Sequence, residues 1–284
     1  QGQPEEGMSH LQQASLMLRQ HPDVSLDAIH YDISSDIYHA QGRWSDALAS
    51  SQKKVEINLQ QRYPSESFHT IGKIFWQSGR FELAKEYLER VDSTNRSDLY
   101  RPGRYWHAVW LLDFANLYVA WQQPEQALFY SQLARSYAQK QGQRILLGRA
   151  LKAAGAAQVQ LRQWDIAEEN LTQALALFRR ELAFDHECTA LTLLIHLQIA
   201  LYKRHELIST SQALWDLLHS GKLDMTNAEP IKAWWACSQA FEVLGDPRAK
   251  EAMITAYQFY TEQLANIQDE TWRLDFANRI PDHQ

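Results

Sequence analysis

The sequence predicts an all-α protein, an α-solenoid of about six to seven antiparallel helix-hairpin repeats with a period of roughly 40 residues. Three observations lead there. Glycine (11) and proline (8) are scarce in a 284-residue chain rich in Ala, Leu and Gln, which favours helix. No alternating run of β-branched residues lies between turn signals. One phrase also recurs: a helix, a tight turn, an aromatic residue, then a small residue that opens a second helix.

Gly42-Arg43-Trp44-Ser45-Asp46-Ala47 is the first clear copy of that phrase, and Gly79-Arg80-Phe81-Glu82-Leu83-Ala84 repeats it. Gln122-Gln123-Pro124-Glu125-Gln126-Ala127 and Arg162-Gln163-Trp164-Asp165-Ile166-Ala167 follow, and Gly245-Asp246-Pro247-Arg248-Ala249 is a shortened version. With Ser209 as a weak copy, the anchors Ala47, Ala84, Ala127, Ala167, Ser209 and Ala249 succeed one another at near-equal intervals. Gly7 lies one such interval before Ala47 and adds an N-terminal copy. A small or apolar residue follows seven positions after most anchors, with Lys54 and Asp216 as exceptions. Two antiparallel helices close up only where a small side chain faces its partner, so small residues mark the crossing. On the first helix, Gly72, Ala115 and Gly155 stand twelve positions before their anchors and serve the same purpose. No repeat buries its apolar face alone; stacking does.

Interruptions are few. The segments 92–103 and 219–229 are the longest breaks, and the repeat runs through both. About 13 or 14 helices of roughly 12 to 20 residues follow, in one repeat domain over 1–284. The chain begins mid-repeat, with residues 1–20 reading as a second helix, so it is expected to be a fragment of a larger multidomain protein. Met8, Leu11, Leu16 and Met17 then form an apolar end face through which self-association is open.

These residues resemble the tetratricopeptide repeat, best over Phe68 to Val91 (Phe68, Ile71, Gly72, Phe75, Gly79, Phe81, Ala84, Leu88, Val91). The resemblance implies a right-handed superhelix whose first helices line a concave groove. The usual period is about 34 residues, and the longer one here is more similar to the MalT-like sensor arrays of bacterial multidomain ATPase regulators. The tail from Asp269 to Pro281 resembles the end of such arrays in bacterial signalling proteins.

Chemistry-bearing motifs are largely missing. Gly221-Lys222 lacks the rest of a phosphate-binding loop. Ser51-Gln52-Lys53-Lys54 has a Ser-x-x-Lys spacing but falls on an exposed-looking helix without a partner motif. His186-Glu187-Cys188 lacks metal-ligand spacing, since helix neighbours point apart. No enzyme, cofactor or metal is expected. Cys188 and Cys237 read as buried thiols in a reducing compartment, hence a cytoplasmic location. A net charge of −6 argues against nucleic acid, and no run is long and apolar enough for a membrane span.

Binding remains. By analogy with the family, groove residues lie 18, 15 and 11 positions before each anchor: Ile29, Asp32 and Asp36; Glu66, His69 and Lys73; Val109, Leu112 and Asn116. The later repeats give Arg149, Lys152 and Ala156; Leu191, Leu194 and Gln198; and Ile231, Trp234 and Ser238. The groove is then acidic at its start, basic in the fourth repeat and apolar toward the end. From Gln126 to Trp164 there is no Asp or Glu, while Arg149 and Lys152 stand three apart on the groove face. They suit a carboxylate or phosphate; a merely solvated basic face is the alternative. Of ten tryptophans, Trp44 and Trp164 plug hairpins, Trp76, Trp106, Trp110 and Trp215 pack between helices, and Trp234 is the groove's exposed aromatic anchor. The expected function is a protein-interaction and sensing module of a bacterial signalling or transcription regulator, holding a partner or another part of its own chain. A small-molecule effector receptor and a self-associating scaffold are the alternatives.

Overall fold

The computed structural model describes residues 9–11, 13–17, 24–61, 65–93, 105–223 and 229–280. Among the described residues from 24 on, thirteen helices run in order: α1 (Val24–Ala40), α2 (Trp44–Gln61), α3 (Ser65–Gln77), α4 (Phe81–Ser93), α5 (Tyr105–Ala120), α6 (Pro124–Lys140), α7 (Arg144–Gln160), α8 (Trp164–Arg180), α9 (Phe184–Ala200), α10 (Arg204–His219), α11 (Pro230–Leu244), α12 (Ala249–Asn266) and α13 (Glu270–Arg279). Residues 9–11 and 13–17 are also helical, and no strand occurs among the described residues. Two compact units form, residues 1–113 with 262–284, and residues 114–261. The N-terminal anchor at Gly7 and the apolar Met8 lie outside the described residues; Leu11 is buried, while Leu16 and Met17 are exposed.

The short turns share one geometry. A residue with φ between +54° and +82° follows the helix at Gly42, Gly79, Gln122, Gly142, Arg162, Leu182, Tyr202 and Gly245. At each of these, its N–H reaches back three residues and the next N–H reaches back five, as in Gly42→His39 and Arg43→Tyr38 or Tyr202→Ile199 and Lys203→Gln198. This double bond pattern satisfies carbonyls that the helix end leaves open. The residue after the left-handed one then starts the next helix: Arg43, Arg80, Gln123, Gln163 and Lys203 accept from the N–H four residues on. From α6 to α9 the helices are 17 residues each, joined by three-residue turns. Two such helices with their turns span one full interval between anchors, and that is the origin of the period.

This geometry corrects two anchors. Ala47, Ala84, Ala127 and Ala167 donate to the turn carbonyl four residues back and are fully buried. In α10 the same bond is made by Leu207, 1% exposed, while Ser209 is exposed; in α12 it is made by Ala252, with Ala249 only partly covered. The position asks for burial rather than for a small residue, and Leu207 meets that. The exception seven residues on then vanishes, since Leu214 rather than Asp216 fills that place.

Within residues 114–261, α7, α9 and α11 lie side by side in one layer, with α9 touching both, while α8 and α10 pack against them. α8 shows the one-sided pattern of an outer helix, burying Ala167, Asn170, Leu171, Ala174, Leu175 and Phe178. α9 is buried from Cys188 to Ile195 on almost every side, as an inner helix must be. The small residues of α7 permit this closeness: a Cβ on Gly155 would stand 2.7 Å from the Leu171 side chain, and one on Gly148 2.6 Å from Phe178. Gly72 serves α3 in the same way, against Leu88. Cys188 and Cys237 are buried free thiols; burial raises both, Cys237 to about 12. Trp44 is buried as a hairpin plug, but Trp106, expected between helices, is 37% exposed.

Two urea titrations test this reading. Leu207→Ala should cost about 2–5 kcal/mol, as for a fully buried leucine, and Ser209→Ala less than about 0.5 kcal/mol. Tyr202 is 93% exposed at positive φ. Tyr202→Gly should therefore stabilise, by about 1 kcal/mol, because only the strained dihedral changes.

Candidate functional site

The turns give a common ruler for the first helix of each hairpin. Counted back from each left-handed residue, the same three positions of that helix fall in one register. In α7 they are Arg149, Lys152 and Ala156, as the sequence suggested. In α9 they are Thr189, Thr192 and His196, and in α11 Lys232, Trp235 and Gln239. The expected Leu191, Leu194 and Gln198 are 1%, 4% and 6% exposed, and Ile231, Trp234 and Ser238 are 8%, 7% and 1% exposed. The shifted anchors explain the error, because Leu207 moves the α9 register by two positions and the longer turn after Gly245 moves α11 by one. Trp234 is not a groove anchor: it packs edge-on against Trp215 and His219, with centroids at 5.5 and 5.3 Å. Its neighbour Trp235, partly exposed, takes that face. Holding the period constant from Ala167 would have found Leu207, and with it Thr189.

The centre of this stripe is cationic. Lys152 Nζ donates to the Thr189 hydroxyl at 3.1 Å, and Thr189 in turn donates to the His186 carbonyl at 3.1 Å. That is the one hydrogen bond of the Lys152 ammonium among the described residues. Lys152 as a residue is partly exposed, and desolvation is the first cause acting on its ammonium. Burial lowers its pKa; Arg149 and Lys232 act in the same direction, and Glu229 and Cys188 oppose them. Lys232 itself pairs with Glu229 at 3.0 Å. α7 supplies Arg149 and Lys152, α9 Thr189, and α11 Lys232. The set has the charge and the donors to hold an anion.

The other expected residues are arranged differently. In α1, Asp32 is neutralised by Lys54 at 2.5 Å, so the first repeat is less acidic than its sequence; Asp36 is exposed. Lys54 belongs to the Ser-x-x-Lys spacing, whose helix is not exposed there. Lys54 and Ser51 are 9% and 1% exposed, and Ser51 Oγ bonds Ser35 Oγ at 2.7 Å. Both side chains tie α1 to α2. His69 Nδ1 lies 2.6 Å from Asp113 Oδ2, without hydrogen-bond alignment, and Trp106 stands edge-on to the imidazole at 6.5 Å. Lys73 and Asn116 are partly exposed, Ile29 is exposed, Val109 and Leu112 are buried, and the Glu66 side chain lies outside the described ones.

Replacing the enclosed ammonium tests the site's cost. Lys152→Met keeps the stem and removes the buried charge, so it should leave stability unchanged or raise it by about 1 kcal/mol in urea. The gain should shrink as pH rises. The folded pKa is lowered, so the burial penalty is complete below that value and fades as pH climbs toward the ordinary lysine value.

Known proteins agree with the hairpin geometry. The tetratricopeptide repeat family matches residues 65–98. No curated protein matches the chain in sequence. Solved structures do match in fold. A Rap protein complexed with competence and sporulation factor superposes with a TM-score of 0.64 at 12% identity, covering 92% of this chain and 74% of that one. Aspartyl phosphate phosphatase F from Bacillus subtilis gives 0.57 at 14% identity, over 88% and 72%. BtubC (BKLC) from P. vanneervenii gives 0.56 at 17% identity, over 75% and 89%. The matched repeat, the shared turns and these neighbours make the chain a TPR-like array of helix hairpins.

Proposed function

We propose that the chain is a non-catalytic protein-interaction module of a bacterial signalling or transcription regulator, working in the cytoplasm. Its inner layer α7, α9 and α11 holds an anionic group on an extended or helical segment of a partner, or of its own protein. The observation that carries this reading is the Lys152 ammonium, enclosed, held by the Thr189 hydroxyl, and flanked by Arg149 and Lys232. A buried cation costs free energy unless something compensates it. A carboxylate or phosphate from outside would do so, with Arg149 offering a planar fork and Thr189 a fixed second point. Trp235 and Gln239 continue the same face and would contact the flanking residues of the segment. The Rap structure, a fold relative solved with competence and sporulation factor, supports a bound partner on such an array. The long period and the tail support placement in a bacterial regulator, and the two free buried thiols support a reducing compartment. A small anionic effector is the second reading, favoured by the enclosure of the Lys152 charge.

A pull-down from source-cell lysate with the wild-type chain and with Arg149→Glu/Lys152→Glu, read by mass spectrometry, separates these readings. A protein retained by the wild type and lost by the double variant is the expected result. A bound anionic metabolite without a protein would transfer the site to an effector, and equal retention by both chains would remove it. With a purified ligand, affinity should weaken with rising salt and with pH rising through the lowered Lys152 pKa, since only the protonated amine attracts an anion. Lys152→Met should abolish the pH dependence along with most of the binding.

A further inference from the structure

Residues 262–284 share a compact unit with residues 1–113. Their described part lies against the turns of the first two hairpins. α13 has 10 residues, too few to persist as a helix by itself. It therefore exists because of its seat. Trp272, Phe276 and Ile280, four apart along the chain, are 3%, 1% and 7% exposed. Trp272 stacks on Trp44 at 6.2 Å and lies 6.1 Å from Phe75, and Phe276 meets Trp44 edge-on at 4.8 Å.

Charges fix the direction of the helix. Arg80 lies 4.7 Å above the Trp272 ring and 3.4 Å from both Asp269 and Asp275. Arg279 pairs with Glu82 at 2.7 Å and covers Phe81 at 5.2 Å. The turn residues themselves are fitted to this approach. A Cβ on Gly79 would stand 2.8 Å from the Asp275 carbonyl oxygen, and one on Gly42 3.0 Å from Gln263. At Gly142 and Gly245 a Cβ would meet nothing within 4 Å, and four other turns use Gln, Arg, Leu or Tyr at the same dihedral. At Gly42 and Gly79 the passing chain demands glycine as well as the backbone.

We propose that these two turns form a docking site for a short amphipathic helix, and that α13 of a second copy of this chain exchanges with the resident α13 there. The segment meets its seat mostly through side chains, across sequence separations of 189 and 197 in the Arg80–Asp269 and Glu82–Arg279 pairs. Only residues 267–269 connect it to α12. Whatever α13 satisfies within one chain it satisfies equally in a second, because swapping an identical element creates no new type of contact. Release leaves Trp44, Phe75 and Phe81 uncovered, an apolar surface that draws a helix back. The order of charges, acidic at Asp269 and Asp275 and basic at Arg279 against Arg80 and Glu82, selects another α13 over an unrelated helix. This site is separate from the inner layer and does not depend on the function proposed for it.

The experiment uses the whole chain of residues 1–284. A receiver carrying Trp272→Ala/Phe276→Ala has its seat intact and its own helix disabled. A fluorescein-labelled peptide of residues 266–280 should bind it saturably by anisotropy, at least ten-fold tighter than it binds wild type, whose own α13 fills the site. No binding to a receiver that keeps its helical circular dichroism, or equal binding to both chains, overturns the proposal. Because the alanine receiver could fail to fold, exchange is also read from charge reversals. Chains with Asp275→Arg/Arg279→Glu and with Arg80→Glu/Glu82→Arg should each be monomeric by light scattering, and their equimolar mixture should form a heterodimer in which the 80–275 and 82–279 pairs are restored in both seats. A mixture that stays monomeric at all concentrations overturns exchange between copies.

Discussion

Eight of the described turns close a helix with the same pair of backward bonds and one left-handed residue, and seven of them, all but the one at Gly245, begin the next helix at once. The bonds settle carbonyls that a helix end otherwise leaves unsatisfied, so a helix can stop within a few residues. A fixed turn length makes the direction of each helix follow from that of the one before it. Four of the eight turns hold Gln122, Arg162, Leu182 or Tyr202 at a dihedral that L-residues avoid. The strain, about 1 kcal/mol at each, persists because the packing of the two flanking helices outweighs it.

Constant helix and turn lengths bring residues one period apart to equivalent places. That is how Arg149 of α7 and Thr189 of α9 come to the same depth, and how Lys152, three positions on, reaches the Thr189 hydroxyl. Lys232 in α11 arrives at the same register only because the break at 219–229 lengthens the chain slightly. The cationic character of the stripe is thus a property of the stack, since no single hairpin contains it. Its central lysine sits where burial works against its charge.

Much of the architecture could be read from residues directly. The recurring Gly-Arg-aromatic and small-residue phrases marked the hairpins, and Gly72 and Gly155 marked close crossings, because steric exclusion at a helix contact leaves few residue choices. Small size was a poorer guide at Ser209 and Ala249. There the packing requires burial rather than smallness, and Leu207 and Ala252 fill the place. That slip moved the expected groove residues of α9 and α11 onto their buried faces, and exchanged Trp235 for Trp234.

Local propensity, spacing and composition were enough for the helical hairpins, their period and the buried thiols. Each of these is written within a stretch of chain no longer than one hairpin. Packing between hairpins settled which face of α9 and α11 joins Arg149 and Lys152, that Lys54 neutralises Asp32, and that α13 seats on the turns beside Gly42 and Gly79. Those outcomes depend on contacts as far apart in the chain as Asp32 from Lys54 and Trp44 from Phe276. A contact of that range is set by how helices stack, and no local pattern records it.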